Sequence, residues 1–486
     1  MSGTLWGANR EKRLEDASDH KKKIFLSPNY TPTDHAHDTT ATSRITFPGG
    51  YNMLQSYLRR TLATTTTLPS TRTLATTTTT TTLPSTLAIH GGEVVCSNTK
   101  ASTPPLVLST TFAVEEPLSF SANELDETSP WCYTRWSNPT VQGLEHKIAL
   151  LEGCAPNNCV AFASGMAASA ATMFSFLQKG DHVIAADVQY PGVAELFRHT
   201  LPKFGIEVTT VDPSNVSNVE NAVRPNTQMV WVETPANPIL RLVDISAISA
   251  LTNKIGAELI VDSTFATPCI TRPIADHNAD FVIHSLSKYL NGHGDAIGGC
   301  VVGKDNVRMQ ELRAEGAIHH GGVLAPMNAY LIARGMHTLP LRMKQHSKSA
   351  EIISTWLEQQ DVVEKVFWPH SKSHPQHALA LKQMKMGGGM VSFQVKGGKK
   401  GAEALALRMM EQLQVIHYAV SLGHQRSLIY LLSTYDLAER EGSSYALTGD
   451  ALKGYKEFAG DGGVFRFSVG LEDAEDLIED LKRVLV

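Results

Sequence analysis

From Leu87 onward, short apolar runs alternate with longer stretches of helical spacing. CVAF at 159–162, HVIAAD at 182–187, EVTTVD at 207–212, MVWVE at 229–233, ELIVD at 258–262 and FVIHS at 281–285 have the length and composition of strands. A helix of small residues is predicted after Ala163–Ser164–Gly165–Met166, running through Leu177. Strands apolar on both faces and separated by helices predict a mainly parallel sheet covered by helices. Past Leu341 the rhythm changes. A long helix to about Gln360 is followed by MVSFQVKG at 390–397, a helix near 400–413, HYAVSLG at 417–423, VFRFSVGLED at 464–473 and a last helix over 473–484. This predicts a large domain ending near 341 and a smaller carboxyl-terminal α/β domain over 342–486.

The segment before Leu87 reads differently. Arg60–Thr71 (RTLATTTTLPST) is repeated as Arg72–Thr86 (RTLATTTTTTTLPST), nearly uncharged and rich in Thr. With few large apolar groups it cannot offset the entropy of ordering, so residues 1–86 are expected to be a largely flexible extension. Tyr51, Leu54, Tyr57 and Leu58 keep open the alternative of an ordered arm. The first twenty residues lack a secretory apolar stretch, and early Asp and Glu residues argue against a transit peptide. Six cysteines fit no familiar zinc spacing and are too few for a disulfide scaffold, so buried thiols in a reducing, cytoplasmic setting are expected. A net charge of -5 without a long basic block argues against a nucleic-acid partner, and no apolar run is long enough for a membrane span. A small-molecule partner is expected.

On parallel sheets, ligands gather at the carboxyl ends of strands. Here those ends carry Ser164–Gly165, Asp187–Tyr190, Glu233–Asn237, Asp262 and Ser285–Lys288. In HSLSKYLNGHGDAIGG at 284–299, Lys288 supplies an amine able to form an imine, and Ser285 and Ser287 supply phosphate donors. Asp262 ends an apolar strand, where a carboxylate can keep a pyridine nitrogen protonated. Gly165 and Met166 open a helix whose orphan N–H groups favour an anion. Tyr190 offers a ring for stacking and a hydroxyl for proton transfer. Tyr133 and Arg135, two residues apart in chain read as extended, point to one side and can grip one phosphate. Arg466, among Val464, Phe465, Phe467 and Val469, can clamp a carboxylate.

YTRWSNPT, ASGMAA, ETPANP, VDSTF, HSLSKYLNGHGD, AVSLG and RFSVGLED occur in the order found in the Cys/Met-metabolism enzymes dependent on pyridoxal 5′-phosphate (PLP), and residues 87–486 resemble that family. The resemblance implies fold type I, aspartate-aminotransferase-like: a mainly parallel seven-stranded sheet in a large PLP domain (146–341) and the smaller domain (342–486). It also implies an amino-terminal arm (87–145) reaching a neighbouring subunit, in a homotetramer of active dimers. Lys288 then resembles the Schiff-base lysine and proton shuttle, Asp262 the partner of the pyridine nitrogen, and Tyr190 the stacking tyrosine. Gly165, Met166, Ser285 and Ser287 resemble phosphate-binding positions, and Tyr133 and Arg135 the pair donated across subunits. Asn237, Ser421 and Arg466 resemble groups that position cofactor and substrate carboxylate.

The expected chemistry is γ-elimination by a carbon–sulfur lyase of trans-sulfuration and sulfur metabolism. NGHGD and AVSLG resemble the methionine γ-lyase group, and Val420 suits a short apolar thioether where cystathionine-handling enzymes often carry Glu. Methionine would give 2-oxobutanoate, ammonia and methanethiol. Cystathionine γ-lyase or γ-synthase chemistry, and γ-substitution on O-acetylhomoserine, are the alternatives. A non-catalytic scaffold would have to keep Lys288, Asp262, Tyr190 and Arg466 without chemical use. Three features depart from the pattern: Pro191 after Tyr190, AIHHGG at 317–322, and Arg426 in SLGHQRSLIYLLSTYDL. His319, His320, His424 and Arg426 either recognise a more polar substrate or serve structure.

Overall fold

The computed structural model describes residues 82–115, 121, 122 and 129–485. Most of the Thr-rich extension lies outside these residues, as does the apolar group at 51–58. Its end is helical: Pro84–His90 forms a short helix, Pro at its first turn, crossing the expected boundary at 86.

Seven strands form the first sheet: β1 (Cys159–Phe162), β2 (His182–Ala186), β3 (Glu207–Val211), β4 (Thr227–Glu233), β5 (Glu258–Asp262), β6 (Phe281–Ser285) and β7 (Gly299–Gly303). Their order is β1-β7-β6-β5-β4-β2-β3. Strands β2 to β6 pair in parallel, while β7 runs antiparallel to both β1 and β6. Pattern reading does not pick out β7, whose GCVVG merges with the preceding glycines.

The period-2 alternation of strands decides which helix each residue meets. Val183, Ala185, Met229, Trp231 and Ile260 pack on one face, with the small-residue helix Gly165–Phe176. Ile184, Val230, Val232, Leu259 and Val261 pack on the other, with Ile245–Ile255. Both faces are therefore dry, as the continuous apolar runs require. We label the helices used below α1 (Pro139–Glu152), α2 (Gly165–Phe176), α3 (Ile245–Ile255), α4 (Leu339–Leu357), α5 (Gly398–Gln412) and α6 (Ala474–Leu485). Ser164 caps α2 by accepting from the Ala167 amide at 3.1 Å, which fixes where that helix starts.

The second sheet has β8 (Val363–Phe367), β9 (Met390–Val395), β10 (His417–Tyr418), β11 (Leu428–Leu432) and β12 (Val464–Ser468), ordered β10-β11-β12-β9-β8. Ile353 and Leu357 of α4, Leu405 and Met409 of α5, and Leu477 and Leu481 of α6 cover one face with Phe393, Phe465 and Phe467. Cys159, Cys269 and Cys300 are buried, but Cys96, Cys132 and Cys154 are only half-buried, a correction to the expectation of buried thiols. No cysteine is disulfide-bonded among the described residues. Nor, among them, is any helix long and apolar enough to cross a membrane.

Candidate active site

Because β2, β4, β5 and β6 run the same way, their carboxyl ends meet along one sheet edge. The chain leaves β6 at Ser285 and turns, so that Lys288 returns over that edge. Its Nζ donates to Ser421 Oγ at 2.9 Å. Burial, and after it the nearby Arg466 guanidinium, push the Lys288 amine down to about 8. A lysine so placed is a usable base.

The turn is fastened from α4. Arg342, buried, donates to the carbonyls of Tyr289 at 2.7 Å, Leu290 at 3.3 Å and Gly335 at 2.9 Å. A Cβ on Gly292 would lie 2.0 Å from the same guanidinium, and φ there is +72°, so only glycine fits. Arg342→Leu strands those acceptors in a dry site. We expect it to lower unfolding free energy by roughly 3 kcal/mol, measured by urea denaturation.

Arg466 arrives from the second sheet. Its neighbours Phe465 and Phe467 face the helices, so the alternation of β12 turns Arg466 toward the first sheet. Nη1 donates to Asn237 Oδ1 at 2.9 Å and Nη2 to the Ser421 carbonyl at 3.0 Å. Its Nε is buried and has no partner. Ser421 itself has φ +89°, a left-handed conformation costly for a residue with a Cβ. The grip of Arg466 on its carbonyl helps hold that shape.

Two carboxyl groups lie beneath. Asp262, at the end of β5, accepts from the Thr264 amide at 2.9 Å and makes no ion pair among the described residues. Burial pushes its carboxyl above the usual range, against the hydrogen bonds from Thr264 and the attraction of His284. Glu233, at the end of β4, accepts from the amides of Tyr190 at 2.6 Å and Asn237 at 2.7 Å. Burial, then the neighbouring Asp262, holds Glu233 well above the carboxylate range. Its work is to set the loops carrying Tyr190 and Asn237.

Tyr190 is 47% exposed, and its ring lies over Gly192, where a Cβ would meet Cε1 at 2.9 Å and Met166 Sδ at 3.2 Å. Gly165 abuts Ser285: a Cβ there would sit 3.1 Å from Ser285 Cβ. The start of α2, Ser285, Met166 and Tyr190 thus line one cradle. The Ser287 hydroxyl instead binds Gly298, donating to its carbonyl at 3.2 Å and accepting from its amide at 3.1 Å.

Other predicted positions lie apart. Tyr133 and Arg135 occupy a turn, closed by the Trp136 amide donating to the Tyr133 carbonyl at 2.8 Å, which corrects the reading of extended chain. The turn brings the Arg135 guanidinium within 5.5 Å of the Tyr133 ring centre. Arg135 donates to the Ile318 carbonyl at 2.9 Å, and neither residue bonds to the Lys288 group. Asp187 is paired with Arg241, which also binds Asp212 at 3.0 Å, a structural network. His319 pairs with Glu315 at 3.2 Å on the surface, and His320 is exposed. Val420, next to Ser421 in the chain, is 65% exposed. Motif reading gives no role to Glu233 or Arg342, because their partners are distant in sequence, nor to Thr264, whose bond to Asp262 is local.

PLP fits what is here. An unpaired buried carboxyl, a buried amine of lowered basicity, a glycine-bared helix start and an unspent Arg466 Nε complement a pyridinium, an aldehyde, a phosphate and a carboxylate in turn. The sheet order and this strand-end site define a PLP-dependent fold type I protein. Residues 85–486 match the model of the Cys/Met metabolism PLP-dependent enzymes, and the chain belongs to that family. It is 40% identical over 407 residues to a canavanine γ-lyase of Pseudomonas canavaninivorans, covering 82% of this chain and 96% of that one. It is 39% identical to an L-methionine γ-lyase of Pseudomonas deceptionensis, with the same coverage of each. The crystal structure of cystathionine γ-lyase from Lactobacillus plantarum complexed with L-serine superposes with a TM-score of 0.72 at 34% identity, covering 83% of this chain and 98% of that chain.

Proposed function

We propose that this protein binds PLP and catalyses γ-elimination from an amino acid, with L-methionine as substrate and 2-oxobutanoate, ammonia and methanethiol as products. The observation that carries the reading is the buried Lys288 amine poised between Ser421, Arg466 and the strand-end cradle. Bound PLP would act as the electron sink for the substrate α-carbon. Asp262 would face its ring nitrogen, Tyr190 its ring, and Gly165, Met166 and Ser285 its phosphate. In the reaction Lys288 Nζ takes the α-proton, and Arg466 holds the substrate carboxylate through Nε with Asn237 as its brace. The Tyr190 hydroxyl handles a proton near the departing γ-group. Tyr133 and Arg135, which make no bond to this chain's own Lys288 group, would reach the phosphate of a partner subunit in a tetramer of active dimers.

The choice of methionine rests on Val420, which offers the γ-substituent no charge. A polar γ-substituent, as in canavanine, is the second reading, favoured by His424 within reach of Ser421. Purified holoenzyme should be assayed on methionine, canavanine, cystathionine, homocysteine and O-acetylhomoserine, the last with and without a thiol. Methionine should release 2-oxobutanoate and methanethiol with no added keto acid. Preference for another substrate would overturn the choice, and turnover of O-acetylhomoserine alone, only with thiol, would replace elimination by substitution. Val420→Glu should raise the cystathionine-to-methionine ratio of kcat/KM by roughly 10- to 100-fold, by supplying a partner for the distal ammonium.

A further inference from the structure

The loop Ser421–Arg426 is stitched to the loop that carries Lys288. The Gln425 amide donates to the Gly292 carbonyl of that loop at 2.9 Å, while the Gly423 amide donates to Ser468 Oγ at the end of β12 at 2.8 Å. A Cβ on Gly423 would lie 2.5 Å from the Tyr289 amide nitrogen, so the two main chains touch. His424, half-buried, is seated in this seam. Its ring rests on Gly294, where a Cβ would come within 2.8 Å of Cε1 and Nδ1, and φ is +70°. The place for the imidazole exists because residue 294 has no side chain.

The contacts then form a line. Lys288 Nζ donates to Ser421 Oγ at 2.9 Å, and Ser421 Oγ lies 3.3 Å from His424 Nε2. With one lone pair of Oγ receiving the amine, the Ser421 hydroxyl hydrogen is free to point at Nε2 in the tautomer that carries its proton on Nδ1. We propose that Lys288, Ser421 and His424 form a proton relay, with His424 as the positioning residue that clears Lys288 of the proton it takes from substrate. One proton passes from Lys288 Nζ to Ser421 Oγ while the hydroxyl proton passes to His424 Nε2. The amine becomes neutral, the imidazole becomes imidazolium, and Nδ1 returns a proton to water. The strained φ of Ser421, held by Arg466, keeps its hydroxyl between the two.

The groups acting on the ring are Lys288, Arg426 and Asp295. Burial, then the two cations, hold His424 below the ordinary histidine range, against the pull of Asp295, so it is an empty acceptor at neutral pH. This inference rests on Lys288 being the reacting base in the proposed elimination. Its readout is therefore deuterium exchange at Cα of L-alanine, which has no γ-substituent to lose and reports Lys288 even if the elimination reading fails.

In holoenzyme, the exchange rate should fall with slope one in log rate as pH drops through the titration of Lys288, and steepen toward two as it drops further through that of His424. His424→Gln should lower the plateau roughly tenfold and keep slope one throughout. Imidazole should restore His424→Ala in proportion to its unprotonated fraction. A second readout needs no substrate: the visible absorbance of wild-type holoenzyme should titrate with an added acidic inflection that His424→Gln lacks. Unchanged slopes in His424→Gln, no rescue by imidazole, or superimposable absorbance titrations would each overturn the relay. Normal exchange behaviour without 2-oxobutanoate release from any substrate would instead overturn the elimination and leave the relay standing.

Discussion

Lys288→Ala should lower kcat at least about 10³-fold, the middle of the range that a positioned proton-transfer group contributes. The loss should be of kcat more than KM, because Asn237 and Arg466 remain joined at 2.9 Å without the amine. The absorbance of purified holoenzyme should move to that of cofactor held without a lysine. Lys288→Arg should not rescue, since a guanidinium stays protonated at any working pH and cannot take the α-proton. A Lys288→Ala enzyme retaining a tenth of wild-type turnover would remove the central residue of the proposed reaction.

The second large effect is expected at Arg466. Its two terminal nitrogens are occupied by Asn237 Oδ1 and the Ser421 carbonyl, and its buried Nε is left over. Removing one partner of a buried charge-assisted contact costs about 2–5 kcal/mol, equivalent to roughly 30- to 5,000-fold in binding. Arg466→Ala should therefore raise the KM for methionine by about that factor and lower kcat as well, because Ser421 loses its anchor. Arg466→Lys should recover less than a tenth of the lost kcat/KM, since an ammonium cannot reproduce three donors in one plane. Steady-state kinetics on both variants decide the matter. An unchanged KM in Arg466→Ala would place the substrate carboxylate elsewhere.

Much of this site was legible because its chemistry falls where local pattern is strongest. Strands β2, β4, β5 and β6 are short apolar runs ending in polar residues, so Tyr190, Asn237, Asp262 and Lys288 follow from periodicity together with the rule of strand ends. Arg466 was legible because an arginine inside VFRFSV contradicts its neighbours. What stayed hidden depends on partners far along the chain. Glu233 reads as a plain strand end until the Tyr190 amide is seen on its Oε2. Arg342 reads as one more helix charge until the carbonyls beside Lys288 fall on it. His424 reads as a departure from a motif, and only the position of Ser421 gives it a neighbour. The turn at Tyr133–Trp136 escaped because its residues also suit extended chain. Strand β8 escaped because Glu364 and Lys365 interrupt its apolar run, and β11 because a continuous run such as LIYLL suits a buried helix as well. The departures at His319 and His320 resolve differently from His424, since Glu315 occupies the first and solvent the second.

The antiparallel β7 has a consequence for biosynthesis. β1 leaves the ribosome first, yet the strand it pairs with among the described residues is β7, which is made after every other strand of that sheet. Until then Phe162 and Val160 present an open edge, the kind of long-range pairing that slows folding and invites association between chains. Closing that edge also finishes the cradle, for Gly299 of β7 lies so near the Ser164 carbonyl that a Cβ would come within 2.3 Å of it. The start of α2 and the strand returning from the Lys288 loop thus lock together in one late event. The cradle therefore lacks its β7 side until the large sheet is complete.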